Sequence, residues 1–392
     1  MNVAKGKSIR STGSTLAGAR TEFWVLLTVA AIVVFYGVVY PNAGLIAESL
    51  QGPNGITGSL YAEALGYRST RDAIEYSLLL SFATVAGSAL VGVPLAILFD
   101  RVDVPGTRIF AACAVSPLLL PPLVGTIAFV FLFGDSGIAT RLCIRIFNLA
   151  QAPYHLRGFW AVLAFHVYTI FPYFFIFVRT ALRRVDPSLE EAGRMLGAGP
   201  MSRFTRILLP SLRGALAAAA ILSFMTSMAS FSAPYLFGGG LRVLTLEIYN
   251  AKVNNDRPLA LVQTVILATL SLAAVALFAR TEAAANRTGT KGSPARRVAV
   301  GSPLVRALAT SGGLAVSFLL LLPHLTIGLI GFANVPAWTT EILPHEYTLA
   351  NYSRLFTDLR FLTPVFNSLW MSALSAVAAF VLGLAAASLI PR

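Results

Sequence analysis

Charge is scarce in this sequence, and acidic charge is scarcest. Of 392 residues only 12% are Asp, Glu, Lys or Arg, with 17 acidic residues against 30 basic ones. A soluble globular domain carries about 25% charged residues. With 56% hydrophobic residues and a mean hydropathy of +0.73, the chain cannot cover itself for water, so its solvent is lipid. Histidine and cysteine are sparse as well. His155, His166, His324 and His345 show no H-x-x-x-H spacing, and Cys113 and Cys143 no C-x-x-C. That excludes a disulfide framework and argues against a metal site on this chain. A membrane enzyme would gather His, Asp or Glu at one bilayer face, and no such cluster is seen, so no catalytic residue is expected. A nucleotide-binding loop is missing too. Gly6-Lys7-Ser8 looks like the tail of G-x-x-x-x-G-K-S, but the first glycine position is Met1.

What is present is a series of long apolar runs. At the ~20 residues a bilayer requires, about eight helical spans fit near 23–40, 76–99, 109–134, 158–182, 212–236, 260–279, 307–333 and 365–390. The fold class is an all-α polytopic membrane protein. The first run is longer than a signal-peptide core and reads as an uncleaved span. A net charge of +13 is not pooled with aromatics on one segment, so no nucleic-acid partner is expected. It lies between the spans. With residues 1–22 in the cytoplasm, twenty of the thirty Lys and Arg fall on the inside, which favours that orientation. Arg141, Arg145 and Arg157 run against the rule, making 134–158 the least regular hairpin.

The chain also repeats. Residues 76–101 align without gaps on 367–392 at an offset of 291, with Ser77/Ser368, Ser81/Ser372, Gly92/Gly383, Ala96/Ala387 and Arg101/Arg392 among seven identities. Tandem repeats of this kind are common in transporters. The organisation expected is a tail at 1–22, a complete six-helix repeat at 23–280, a polar linker at 281–305, and the start of a second repeat at 306–392. The second repeat breaks off before completing its helices, so the sequence reads as the front of a longer fused protein.

Between two apolar spans lies a charged segment punctuated by Gly and Pro, residues 186–210. Asp186 and Pro187 fit the N-cap and first position of a helix. Gly197 and Gly199-Pro200 would stop it. Phe204, Ile207 and Leu208 form an apolar stripe on a second short helix ending at Pro210. The pattern Glu191-Ala192-Gly193, Gly197, Ile207, Leu209, Pro210 resembles the E-A-A-x3-G-x9-I-x-L-P loop of importer permeases of the ATP-binding-cassette family. Gly193 stands where the second Ala would be. The resemblance implies that these residues dock a cytoplasmic ATPase dimer. Glu191 would pair with a base there and Gly197 would allow the sharp turn. ATP and Mg would be held by that partner, with no cofactor on this chain and no enzymatic activity of its own. It also implies a bacterial inner membrane and a periplasmic solute-binding protein.

After the loop, residues 218–234 are rich in small and hydroxyl side chains. Ser227, Ser230, Phe231 and Pro234 are candidates for a solute path, although small residues also serve plain helix packing. Pro234 with glycines 238–240 is expected to break this helix near one face. Glu247, Lys252, Asp256 and Arg257 are either rim charges for a binding protein or solvated loop charges. Segments 231–239 and 244–249 resemble the fused iron(III) permeases, whose relatives carry thiamine, 2-aminoethylphosphonate or polyamines. The sequence therefore reads as a permease, with iron(III) the first solute. An ion-gradient-driven secondary transporter is the alternative. It would want charges deep in the spans, and the first repeat has none there.

Overall fold

The computed structural model describes residues 24, 27–52, 55–285, 298–299, 302–338 and 341–389. The tail 1–22, most of the linker and Arg392 lie outside the described residues. In chain order, α1 spans Leu27–Ser49, α2 Ser59–Gly66, α3 Arg68–Arg101, α4 Thr107–Val115 and α5 Pro122–Phe133. Helices α6 (Ile138–Phe147), α7 (Gly158–Leu182), α8 (Pro187–Met195) and α9 (Pro200–Ser211) follow. Next come α10 (Arg213–Met228), α11 (Ser232–Phe237), α12 (Leu244–Val253) and α13 (Arg257–Ala285). The last are α14 (Pro303–Phe332), α15 (Ala350–Thr357) and α16 (Leu359–Leu389). Among the described residues seven helical stretches are long and apolar enough to cross a bilayer, with α5 and α6 (Pro122–Phe147) counted as one, or eight counting the bent pair α9–α10. That is the all-α polytopic architecture and the span number expected.

The chain divides into two units, residues 54–348 and residues 1–53 with 349–392. In the larger unit, α3 and α7 pack along their lengths. The reason is in the side chains. Ser77, Ser81, Thr84, Ser88, Gly92 and Ala96 form one buried face of α3, all of them small. Opposite stand Phe171, Phe174 and Phe175 of α7, also buried. A Cβ on Gly92 would come within 2.6 Å of the Phe171 carbonyl oxygen, so only glycine fits. Lipid tails are as apolar as Phe, so this contact gains from close packing rather than from leaving water.

Two expected spans are broken. Span 109–134 divides into α4, a tight turn at Ser116–Leu119, and α5. Pro117, Pro121 and Pro122 remove three N–H donors there. Span 212–236 divides at residues 229–231. Pro234 is the cause, because it offers no N–H to the carbonyl of Ser230 four residues earlier. The hydroxyl of Thr245 donates to that carbonyl instead, at 2.7 Å.

The irregular hairpin at 134–158 holds α6, and two of its arginines have partners. Arg141 donates to the Glu341 carbonyl oxygen and sits 5.5 Å from the Trp338 ring centroid. Arg157 lies 3.5 Å from Asp135. Helix α13 continues to Ala285, past the expected repeat boundary, and Val298–Ala299 in the linker pairs in parallel with Val102–Asp103.

Helix α14 packs against α4 and α5. A Cβ on its Gly313 would meet the Phe110 ring at 2.5 Å. Tyr168 of α7 donates to the Leu320 carbonyl at 2.8 Å, and His324 Nε2 lies 2.9 Å from the Ser116 carbonyl.

In the smaller unit, α15 and α16 begin at residues 350 and 359. Those positions are 291 beyond the starts of α2 and α3, the same offset as the sequence alignment. A short helix followed by a long one thus recurs at that offset.

Candidate functional site

The charged loop is two short helices joined at a glycine turn. Asp186 caps α8: its Oδ1 accepts from the Ser188 amide at 2.9 Å, and Pro187 takes the first helical position. Those hydrogen bonds hold the Asp186 carboxyl below its ordinary pKa. At the other end Leu196, Gly197 and Ala198 amides donate to the Ala192, Arg194 and Gly193 carbonyls at 3.0, 3.1 and 2.9 Å. Gly197 has φ +76°, the left-handed geometry this closure needs. Helix α9 then runs from Pro200 to Ser211 and bends by 67° into α10.

The loop is held to the helices behind it in two ways. Arg101, at the end of α3, reaches Glu190 Oε1 at 2.7 Å with both side chains largely covered. Leu208 and Leu212 are buried in one apolar cluster with Phe99, Val178, Leu182 and Val185. Neighbouring Asp100 lies 3.2 Å from Arg183 and 3.8 Å from Arg179.

The seven motif residues divide into a surface and a joint. Glu191, Ala192 and Gly197 are exposed, whereas Ile207, Leu209 and Pro210 are half-buried. Gly193 is buried, and a Cβ there would meet Ile207 Cδ1 at 2.8 Å. Its smallness therefore serves the contact between α8 and α9 and not the outer surface. Three residues outside the motif complete that surface: Met195 (89% exposed), Leu196 (87%) and Met201 (72%). Their signal in the sequence was an apolar side chain beside the turn rather than on the stripe.

The candidate path residues lie at the other end of α10. Ser227 is buried, with its Oγ 3.1 Å from His166 Nδ1 and 3.3 Å from Thr84 Oγ1. Ser230 Oγ lies 2.8 Å from His166 Nε2. Pro234 is buried within α11. Phe231 stacks on Tyr235 at 5.1 Å, and both rings pack on Tyr249. So the structure brings Ser227 and Ser230 together around His166 and places Phe231 in a separate aromatic group. Sequence reasoning missed His166 and Thr84. A single histidine in an apolar helix, far along the chain from its partners, carries no spacing signal. Nearby hydroxyls of Ser81, Ser88 and Ser223 are buried without a hydrogen-bond partner among the described residues.

Comparison with known proteins bears on both regions. Residues 92–284 match the family described as "Binding-protein-dependent transport system inner membrane component". The chain is 27% identical over 384 residues to the ABC transporter permease protein y4fN of Sinorhizobium fredii, covering 95% of this chain and 66% of that one. It is 25% identical to a Salmonella typhi protein named as the 2-aminoethylphosphonate transport system permease PhnU, covering 70% of this chain and 95% of that one. It is 27% identical to the ferric transport system permease protein FbpB of Actinobacillus pleuropneumoniae, covering 56% of this chain and 32% of that one. The chain thus spans less than two thirds of y4fN and about a third of FbpB. Among solved structures, a chain of the bacterial alginate ABC transporter in complex with its pentasaccharide-bound periplasmic protein superposes with a TM-score of 0.58. It shares 18% identity and covers 69% of this chain and 98% of that one, a likeness of fold.

Proposed function

We propose, from the match of residues 92–284 to the binding-protein-dependent transport inner-membrane family, that the chain is a permease subunit of an ATP-binding-cassette importer. It forms part of a solute path and takes its energy from a separate ATPase through loop 186–210. The observation that carries this reading is the construction of the loop. It is fixed at its base by Arg101–Glu190 and by Leu208 and Leu212. It is open at its tip, where Glu191, Met195, Leu196 and Met201 are exposed. A rigid base with a tip of exposed apolar side chains beside Glu191 and Arg194 suits insertion into a groove of another protein, where a few buried anchors supply most of the affinity. The 67° bend then passes movement of the loop directly to α10.

In this reading the N-terminus and the loop are cytoplasmic, in a bacterial inner membrane, and ATP and Mg belong to the partner dimer. A periplasmic binding protein delivers solute to segments 41–75 and 237–258. The solute is iron(III), by the likeness of segments 231–239 and 244–249 to iron permeases. A second reading, 2-aminoethylphosphonate, is favoured by the match that covers nearly the whole of that relative.

The test is ATP-dependent uptake of radiolabelled iron(III) and of 2-aminoethylphosphonate by vesicles carrying the chain with its ATPase and binding protein. Replacing Met195 and Leu196 together by Asp should lower uptake about tenfold or more while the protein stays membrane-inserted. Undiminished uptake by that variant would remove the loop from the mechanism.

A further inference from the structure

His166 bridges three helices. It lies on α7, is 1% exposed, and uses both ring nitrogens. On one edge Nδ1 is 3.3 Å from Thr84 Oγ1 on α3 and 3.1 Å from Ser227 Oγ in the last turn of α10. On the other edge Nε2 is 2.8 Å from Ser230 Oγ, which stands in the break between α10 and α11. The two nitrogens of an imidazole face opposite ways, so one side chain grips the end of the helix and the residue just beyond it.

That break is a designed elbow in physical terms. Pro234 takes away the amide that would have bonded the Ser230 carbonyl. Thr245 supplies a hydroxyl in its place, and His166 holds the Ser230 side chain. Ser230 is therefore fixed from two elements, α7 and α12, neither of which is its own helix. Immediately after it, Ala233 and Phe237 are buried against Leu80, Phe129, Val162 and Phe165. The elbow closes this apolar layer. Helix α10 has 16 residues, about 24 Å at 1.5 Å per residue, and its opposite end is the 67° bend from the loop. Whatever displaces the loop end of α10 must act on the elbow against the His166 bonds.

We propose that His166 is a positioning residue for transport: through Ser230 it holds the α10–α11 elbow closed, and release of that bond is the step that lets the elbow open. Its role in transport rests on the permease reading, but the elbow's closure does not.

The experiment is therefore made without ATPase or solute, on the full chain in membranes with Cys113 and Cys143 replaced by Ser. Single cysteines at Ala233 and Ala96, both fully buried, report reaction with N-ethylmaleimide at the elbow and in the distant α3–α7 packing. Asparagine places its amide nitrogen near the position of Nδ1, and glutamine near that of Nε2. His166→Gln should keep the Ser230 contact and leave the Ala233→Cys probe slow. His166→Asn and Ser230→Ala should each raise its labelling rate about tenfold, the scale of one lost hydrogen bond. The Ala96→Cys probe should not change in any of them. Equal labelling in the Asn and Gln variants, or a parallel rise at the Ala96→Cys probe, would show general loosening and overturn the proposal. An unchanged rate in Ser230→Ala would do the same. If the labelling pattern holds while ATP-dependent uptake in coupled vesicles is unaffected, His166 holds the elbow but its release is no step of transport, and the proposal is overturned; absence of ATP-dependent uptake with the unaltered chain would instead sink the permease reading.

Discussion

Two glycines in the loop serve different purposes, and the difference can be measured. Gly197 has open space around its missing Cβ but a φ of +76°. Gly197→Ala should cost about 1–2 kcal/mol from backbone strain alone, and Gly197→Asn less, because Asn tolerates the left-handed region. Gly193 has the opposite problem: an ordinary backbone, with Ile207 Cδ1 in the way. That atom is the free end of a flexible side chain. Gly193→Ala should therefore be accepted with a shift of Ile207, while Gly193→Leu should force α8 and α9 apart. Thermal unfolding of the detergent-solubilised protein ranks the four. Asp186 adds a pH signature. Its pKa is lowered in the folded loop, so its cap contributes fully above the ordinary value near 3.8 and is lost as pH falls through the lowered one. Hydrogen exchange at the Ser188 amide should accelerate in that acid range, relative to a Asp186→Asn variant, which keeps a capping oxygen at every pH.

At the scale of elements, the hinges are where the chain departs from plain spans. Pro234→Ala should restore a donor for the Ser230 carbonyl and let α10 and α11 join. The new amide at 234 should be protected from exchange, and uptake should fall. If that amide exchanges as fast as the exposed loops, the proline is not what breaks the helix. At the base of the loop, Arg101 already has a buried Nε without a hydrogen-bond partner among the described residues. Glu190→Ala would leave more of the guanidinium unpaired and should cost about 1–3 kcal/mol, read as faster proteolysis of 186–210. The same elements show what the sequence makes legible. The caps and turn of α8 could be read because Asp186, Pro187 and Gly197 act on backbone groups within four residues. The division of α4 from α5 was signalled by prolines at 117, 121 and 122, yet a hydropathy run passes straight over them. The Arg101–Glu190 pair and the His166 cluster could not be read, since they join residues 89, 82, 61 and 64 positions apart. Only tertiary packing puts those partners together.

For the whole molecule, the repeat has a physical counterpart. Ser77, Ser81, Thr84, Ser88 and Gly92 form the buried face of α3, and their counterparts in α16 are Ser368, Ser372, Ser375, Ala379 and Gly383. The same small-residue stripe is kept, but it is exposed in α16, and a Cβ on Gly383 would meet nothing within 4 Å. Leucine at Gly92 should therefore abolish folding of the larger unit, whereas leucine at Gly383 should leave it intact; yield of monodisperse protein in detergent separates the two. The central claim is that loop 186–210 is where a separate ATPase takes hold. It is tested most directly by binding-protein-stimulated ATP hydrolysis in the assembled transporter, comparing the unaltered chain with Glu191→Lys. Stimulated hydrolysis should fall to the unstimulated rate with the variant still inserted in the membrane. Full stimulation by Glu191→Lys would contradict the account.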